Sequence, residues 1–494
     1  MPPFPFPLPT TSLISYANLL HDTSLSFTAE LAEATSARTT LQLALKALDE
    51  NNPSASALSV VDAVQGYLPY LQSIIHSLDS DLLLPKSELS FTWTPSLTSY
   101  PLKTPALTLP SIHAEHLFVL LVYALSLSNY ANSILRSLPV FESIQDSKGK
   151  SKAGGAAQSV VGRLTAEDEK KITVGLGRAV DLLCQASGIA TYVADKICPV
   201  FEGAKKGAGR NGKLKWPVET GAEAFRGLAM VFLADAHVTA IRKLLLPVLT
   251  HSLFSPPGPP LPSNHPSPSL LAKLYLHTAS LYESARAFFK VRGGESSSNR
   301  KLFSRDKKTG DTEPHDTTEG DPIPELQRYL RKESLLASAL ARKWLGVDAG
   351  ENSKEPQTGE ALAWVKDAQS RLEELEDSAV REKMKGFSLS RGGDKKKEAR
   401  KARKGRVERE LEDVRAWIAS YQALNDKVSF QPVPPSSSLV VPSGRQVFNA
   451  KTFVPPPNKF GSTFKVPLDG STPDSEGAQN ASPTEAYAGQ GNYF

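Results

Sequence analysis

A chain of 494 residues, 40% of them hydrophobic, can bury one large core or two smaller ones, which excludes a disordered protein. Its 57 basic and 52 acidic side chains leave a formal charge of +5, too small at this length to name a polyanionic partner. Cys184 and Cys198 are the only cysteines, which excludes a disulfide scaffold and a thiolate zinc site and fits the reducing cytoplasm.

The opening residues alternate proline with phenylalanine and leucine and carry no basic stretch ahead of an apolar run, so they read as an extended arm rather than a secretory signal. A short strand fits at the very start, and Thr10, Thr11 and Ser12 offer N-caps to a helix through Leu20. Apolar residues then recur at three- and four-residue spacing over Glu30 to Leu48 and Leu58 to Leu78, two amphipathic helices split by the breaker Asn51-Asn52-Pro53. Leu89, Phe91 and Trp93 alternate with period two, a strand. Helical patterning resumes over 116–138, 165–200, 221–246, 270–289, 324–345, 358–376 and 407–427. The apolar run from Leu117 meets Asn129 and Asn132 before the roughly 20 apolar residues that a membrane span needs. It is expected to be a buried helix.

Four stretches look like disordered insertions: 147–158 (Gly, Ala, Lys, Ser), 255–269 (proline-rich), 293–322 (polar and charged) and 386–404 (basic). The proline-rich one suits a polyproline-binding partner, but a plain spacer is the commoner use of such a loop. Residues 1–455 are expected to form one domain and 456–494 a disordered tail. Helix pairs of roughly 20 residues are the material of a solenoid in which each pair buries its face against its neighbours. The expected class is mainly α, an elongated helical solenoid of TPR-like pairs with a small N-terminal β element.

The C-terminal stretch Leu424 to Pro434 ends a helix and continues into a strap in which Pro432 and Pro434 push Gln431 and Val433 into extended backbone. The Phe430 ring is expected to be buried against the helices.

Seven segments in register resemble the Bro-domain family, the helical module of the Alix and fungal Pal proteins. They begin with Ser90-Phe91-Thr92-Trp93 and the apolar helix from Glu115, followed by Ala179 to Gly188 and Met230 to His237. Leu271 to Tyr282, the pair Lys332 to Arg342 with Gly359 to Ala368, and Asn425 to Pro434 complete the set. Trp93, Asn425, Phe430, Pro432 and Pro434 match the family's structural signature. Thr94-Pro95 replaces its usual Tyr-Asp, and Asp235 and His237 replace two glutamines, so the chain is a divergent member. The proline-aromatic opening and the short polar tail look most like the family's fungal ambient-pH branch.

The resemblance implies a scaffold that binds the C-terminal amphipathic helix of an ESCRT-III Snf-type subunit and supports a calpain-like protease acting on the PacC transcription factor. It also implies peripheral recruitment to cortical plasma-membrane sites or endosomes. Endosomal cargo sorting is the alternative within the family, and a basic helical nucleic-acid-binding protein the alternative of another class.

Phe225, Leu228, Met230, Val231, Phe232 and Leu233 are more apolar positions than one helix face can use. The surplus meets a second helix or stays exposed, and core packing is the commoner fate of any one of them. Phe225, Leu228 and Phe232, at three- and four-residue spacing, are the candidate partner-binding face. The basic run 383–406 offers Lys395, Lys396, Lys397, Arg400 and Lys401 to an anionic membrane, with a solvated helix end as an equal reading. No aromatic interleaves the run, which disfavours nucleic acid.

No catalytic, cofactor or metal constellation is legible. His113-Ala-Glu-His116 lacks the spacing of a zinc helix, Gly175-Leu-Gly177 lacks a third glycine and a preceding strand, and Asp235 and His237 point to different helix faces.

Overall fold

The computed structural model describes residues 3–460 except 24, 51, 53–54, 102, 140, 143–164, 209–215, 255–257, 292–319, 352–355 and 386–393. The expected insertion 147–158, most of 293–322 and the tail beyond 460 lie outside the described residues.

Two small antiparallel sheets and a long series of helices make up the chain. The first sheet joins β1 (Thr10–Thr11), β4 (Ser90–Thr94) and β5 (Leu107–Pro110), with Thr10 opposite Thr94 and Phe91 opposite Leu109. The second pairs β2 (Leu20–Asp22) with β3 (Leu83–Pro85). Thr10 and Thr11 therefore serve as a strand and not as caps. The helix that follows, α1 (Tyr16–Leu19), is a single turn.

Next come α2 (Thr28–Asp49) and α3 (Ala57–Asp79), whose start is fixed by a reciprocal Ser56–Ser59 capping box. They are followed by α4 (Ile112–Ser137), α5 (Ala166–Tyr192) and α6 (Cys198–Ala208). Between α5 and α6 the helix widens to a π turn over Val193–Ile197. Pro199 lacks an N–H and its ring would strike the Asp195 carbonyl in a regular α-helix, so the wider turn is the relief. The series ends with α7 (Ala222–Phe254), α8 (Pro268–Val291), α9 (Pro324–Glu351), α10 (Thr358–Lys385) and α11 (Asp394–Leu424).

The long helices stack in chain order, α2 on α3, α3 on α4, α4 on α5, α5 on α7 and so on to α10 on α11. The result is an elongated helical solenoid with a small N-terminal β element. Its interior divides into a larger core under the sheet and α2–α7 and a second one among α8–α11. Both α4 and the Ala222–Val248 part of α7 are long and apolar enough to cross a membrane, but most of each is buried among other helices. They are the two central helices of the larger core.

Two of the stretches expected to be disordered are in part structured. Residues 394–404 are the first turns of α11, and Gly258 to Ser267 form an irregular segment in which the His265 ring lies 5.0 Å from that of Trp344 on α9. The chain also stays in place past Pro455. Phe460 is buried and stacks on Phe27 with centroids 5.5 Å apart.

The N-terminal arm is pinned by the asparagines of α4. Asn129 mimics a strand neighbour, accepting from the Phe6 N–H at 2.9 Å and donating to its carbonyl at 2.8 Å, while Asn132 donates to the Pro3 carbonyl at 2.7 Å. Beneath the sheet a buried ion pair joins Arg38 of α2 to Glu115 of α4 at 2.9 Å. Glu115 also accepts from Trp93 Nε1 at 2.8 Å and from the Tyr67 hydroxyl at 3.1 Å, and Arg38 also reaches the Ser12 carbonyl and Thr11 Oγ1, each at 2.6 Å. The Trp93 ring stacks on Phe118. Trp93 thus ties β4 to α4 by both its faces and its N–H.

Candidate interaction surfaces

Phe225, Leu228 and Phe232 are 0%, 1% and 0% exposed, which corrects their assignment to an exposed partner face. The apolar residues of α7 surround the helix, and α5 and α8 cover it on two sides while the N-terminal arm adds a third neighbour. Phe6 meets the Phe232 ring edge-on at 5.5 Å, and Gly227 leaves room for the ring of Phe289. A charge at Leu228 would be buried without a partner, a cost that exceeds what most single substitutions impose. Leu228→Asp is expected to abolish the cooperative melting transition seen by circular dichroism, whereas a stable, folded variant would return Leu228 to the surface.

The same helix carries two polar residues facing different surroundings. Asp235 Oδ1 accepts from the hydroxyls of Tyr282 on α8 at 2.5 Å and Tyr329 on α9 at 2.6 Å. Burial lifts the Asp235 carboxyl to about 7, against the pull of the two tyrosine hydrogen bonds and with help from nearby Glu333. Its usual value is 3.8, so the folded protein holds this proton more tightly than the unfolded chain does, and stability falls as pH rises from about 4 to about 7. Asp235→Asn keeps an oxygen for both tyrosines and is expected to remove that decline. Urea midpoints measured from pH 5 to pH 8 should converge for the two proteins at the acid end and favour the variant at the alkaline end.

His237 faces the other way, towards the C-terminal strap. After α11 the helix widens into a π turn over Asn425–Ser429 and stops at Phe430, which adopts a left-handed backbone with φ 48°. Asn425 clamps the exit. Its Oδ1 accepts from Thr358 Oγ1 at 2.8 Å and from the Gln431 N–H at 3.1 Å, and its Nδ2 donates to the Gln431 carbonyl at 3.0 Å. Gln431 Oε1 accepts in turn from the Gly359 N–H at 3.1 Å, and a side chain at Gly359 would collide with the Pro432 carbonyl. The clamp turns Phe430 outward. It is 74% exposed beside Val428 at 68%, which corrects the expectation of a buried ring. Pro432 is exposed and Pro434 half-buried, so of the signature positions at this exit Asn425 is the anchor, and it works through Gln431, which lies outside that signature.

From there the strap runs back along the solenoid. Val440 and Pro442 line a shallow recess of about 330 Å³ with Leu345 and Trp364. The Arg445 N–H donates to the Lys273 carbonyl of α8 at 2.9 Å, and Gly444 lies directly on the backbone of His277. The N–H groups of Val447 and Phe448 point at His237 Nε2, at 3.3 and 3.4 Å. The Lys451 N–H reaches the Cys184 carbonyl of α5 at 3.0 Å, its carbonyl sits over Gly188, and its ammonium pairs with Asp181 at 2.9 Å. Phe453 packs edge-on against Tyr192, and the N–H groups of Lys459 and Phe460 both donate to Ser73 Oγ on α3. Sequence reasoning located the start of this strap and missed its length. The apolar residues Phe448, Phe453 and Phe460, spaced through a polar stretch, were the available signal.

Lys395, Lys396, Lys397, Arg400 and Lys401 fall in the first turns of α11, with their side chains outside the described ones. The end of the same run turns inward. Arg403 bonds Glu333 of α9 at 3.2 Å and lies over the Tyr329 ring, so part of the basic run docks α11.

Among the described residues no three His, Cys, Asp or Glu side chains converge as metal ligands. Burial raises the thiols of Cys184 and Cys198 to about 11 and about 12, which keeps both protonated and unreactive at neutral pH. His113 and His116 belong to the first turns of α4, where Ser111 Oγ caps the His113 N–H and burial pushes the His116 imidazole down to about 3.

A stack of helix pairs in chain order, crossed by an extended C-terminal strap, defines a helical scaffold of the Bro1 type. The BRO1-like domain family matches residues 154–469, and the chain belongs to that family. It is 54% identical, over the full length of both chains, to the pH-response regulator protein palC of Cryptococcus neoformans var. neoformans serotype D. To palC of Yarrowia lipolytica it is 25% identical, over 99% of this chain and 98% of that one. Among solved structures it resembles ALIX BRO1 in its complex with CHMP4C, with a TM-score of 0.54 at 16% identity, covering 94% of this chain and 99% of that one. A second, described as the structural basis for endosomal targeting by the Bro1 domain, gives 0.50 at 15% identity, covering 92% and 94%.

Proposed function

We propose that this chain is a non-catalytic scaffold of the fungal response to ambient alkaline pH, holding an ESCRT-III subunit through that subunit's C-terminal amphipathic helix. The observation that carries the reading is full-length identity of 54% to a pH-response regulator. The ESCRT-III partner draws support from the shared fold of ALIX BRO1, whose complex is with CHMP4C. In this role the scaffold gathers a calpain-like protease and its substrate PacC at a membrane, with Lys395, Lys396, Lys397, Arg400 and Lys401 touching anionic lipid. A role in endosomal cargo sorting has support only from the fold, through a structure sharing 15% of its residues with this chain.

The reading has three separate tests. Expression of the chain in a fungal strain lacking its palC should restore growth at alkaline pH, and failure of a well-expressed chain to do so would remove the pH-response role. A pull-down with the isolated C-terminal ESCRT-III helix should survive rising salt, because apolar burial is not screened; capture that fades with salt would reduce the contact to charge alone. Neutralising the five basic residues should lower co-sedimentation with phosphatidylserine vesicles while leaving the pull-down intact.

A further inference from the structure

The strap crosses His237 in a geometry that only a neutral imidazole satisfies. Nδ1 lies 2.8 Å from the Leu233 carbonyl, an acceptor, so Nδ1 carries the proton. Nε2 is then a bare lone pair, and it receives the N–H groups of both Val447 and Phe448. A second proton on the ring would place an N–H against two N–H donors. Both bonds would be lost, and a buried cation would stand where the strap has nothing to offer it.

We propose that residues 444–460 form an acid-released latch whose sensor is His237. The surroundings favour the neutral ring. His277 of α8 lies against it with centroids 4.9 Å apart and the Phe448 ring of the strap meets it edge-on at 5.7 Å, neither of them an anion, and the charged residues of the strap on either side of the crossing, Arg445 and Lys451, are cations. On the adjoining helices Asp181 of α5 pairs with Lys451, and the Asp235 carboxyl of α7 is taken by Tyr282 and Tyr329. Burial, together with His277, holds the His237 imidazole below its usual 6.5. A histidine whose folded value is lowered costs nothing above its free value and weakens the docked state as pH falls below it. The strap is therefore seated at neutral and alkaline pH and released on acidification. Release uncovers α5 at Gly188 and α8 at His277. Nothing in this device depends on which partner the scaffold holds.

The test is hydrogen exchange of the full chain, followed by mass spectrometry from pH 7.5 to pH 5, with each amide's rate divided by its intrinsic rate at that pH. Protection of the strap peptides spanning 444–460 is expected to fall as pH drops below the free histidine value of 6.5, with a limiting slope of about tenfold per pH unit, as release coupled to one proton requires. Protection within α4 should hold constant, which separates release from unfolding. His237→Gln offers a carbonyl oxygen that cannot titrate and should flatten the profile, while His277→Gln should keep the acid response. Phe453→Ala, which weakens docking at Tyr192 and leaves the sensor's own contacts in place, should move release to higher pH. Strap protection independent of pH in the unaltered chain overturns the proposal, and so does loss of the response in His277→Gln. Should His237→Gln fail to fold, the unaltered chain, His277→Gln and Phe453→Ala still decide the matter.

Discussion

Glu115→Ala is expected to lower the stability of the whole chain by about 3 to 5 kcal/mol, the cost of stranding one member of a buried ion pair. Domains of ordinary stability have about 5 to 15 kcal/mol to lose. Arg38 would keep a guanidinium inside the core with its main partner gone, and the Trp93 N–H and Tyr67 hydroxyl would lose their acceptor as well. The effect should spread, because this carboxylate is where α2, α3, α4 and β4 meet and where Arg38 extends to β1 through Thr11. Replacing both charges by apolar side chains, as in Arg38→Met with Glu115→Leu, should recover part of the loss because no unpaired charge remains. Urea denaturation of the three proteins decides it. If Glu115→Ala melts with the unaltered chain, the network is ornamental. If the double variant is less stable than Glu115→Ala, hydrogen bonds to the charged groups outweigh the cost of their burial.

How much of this architecture the sequence discloses depends on which physical signal each element carries. Helices α2, α3, α8 and α9 announce themselves through three- and four-residue periodicity, and the structure ends each within a few residues of the expected limits. The first turns of α11 carry no apolar pattern, so 394–404 reads as a loop although lysine, arginine, glutamate and alanine are all good helix formers. There propensity continues the helix, and Arg403 docks it on Glu333. At α7 the pattern was legible and its meaning was not. Apolar residues on every side are equally suited to a central helix and to an exposed binding face, and only the arrival of α5, α8 and the N-terminal arm decides between them. Phe430 fails for a different reason. Hydropathy says an aromatic ring should be buried, but the Asn425 clamp sets a left-handed backbone at that residue, and backbone handedness at a helix exit leaves no hydropathy signal. The seat of the strap is the least legible part, since Gly188, His237 and Ser73 lie on three different helices and acquire a common role only when the stack brings them under one segment.

Gly188→Val is expected to evict the strap. A Cβ at that position would fall inside the Lys451 carbonyl, backbone against backbone, so neither side can yield by a side-chain rotation. The strap would have to lift from α5, and with it would go the Phe453 contact with Tyr192 and the Lys451 pair with Asp181. Valine also carries a small helix-propensity advantage over glycine at mid-helix, so the helix itself should gain slightly while the strap is lost. The comparison that isolates the cause is a chain ending at Ser443, which removes the strap outright and with it the burial of Phe460. Burying a phenylalanine is worth roughly 1.5 to 3 kcal/mol, so the truncated chain should melt well below the full one. In the truncated chain Gly188→Val has nothing left to strike, and the substitution should become neutral or mildly stabilising. Two changes that remove one interaction do not add, and that failure of additivity is the measurement to make. A Gly188→Val penalty that persists in full after truncation would place the clash within the helices themselves, and the strap would then be a passenger on the solenoid.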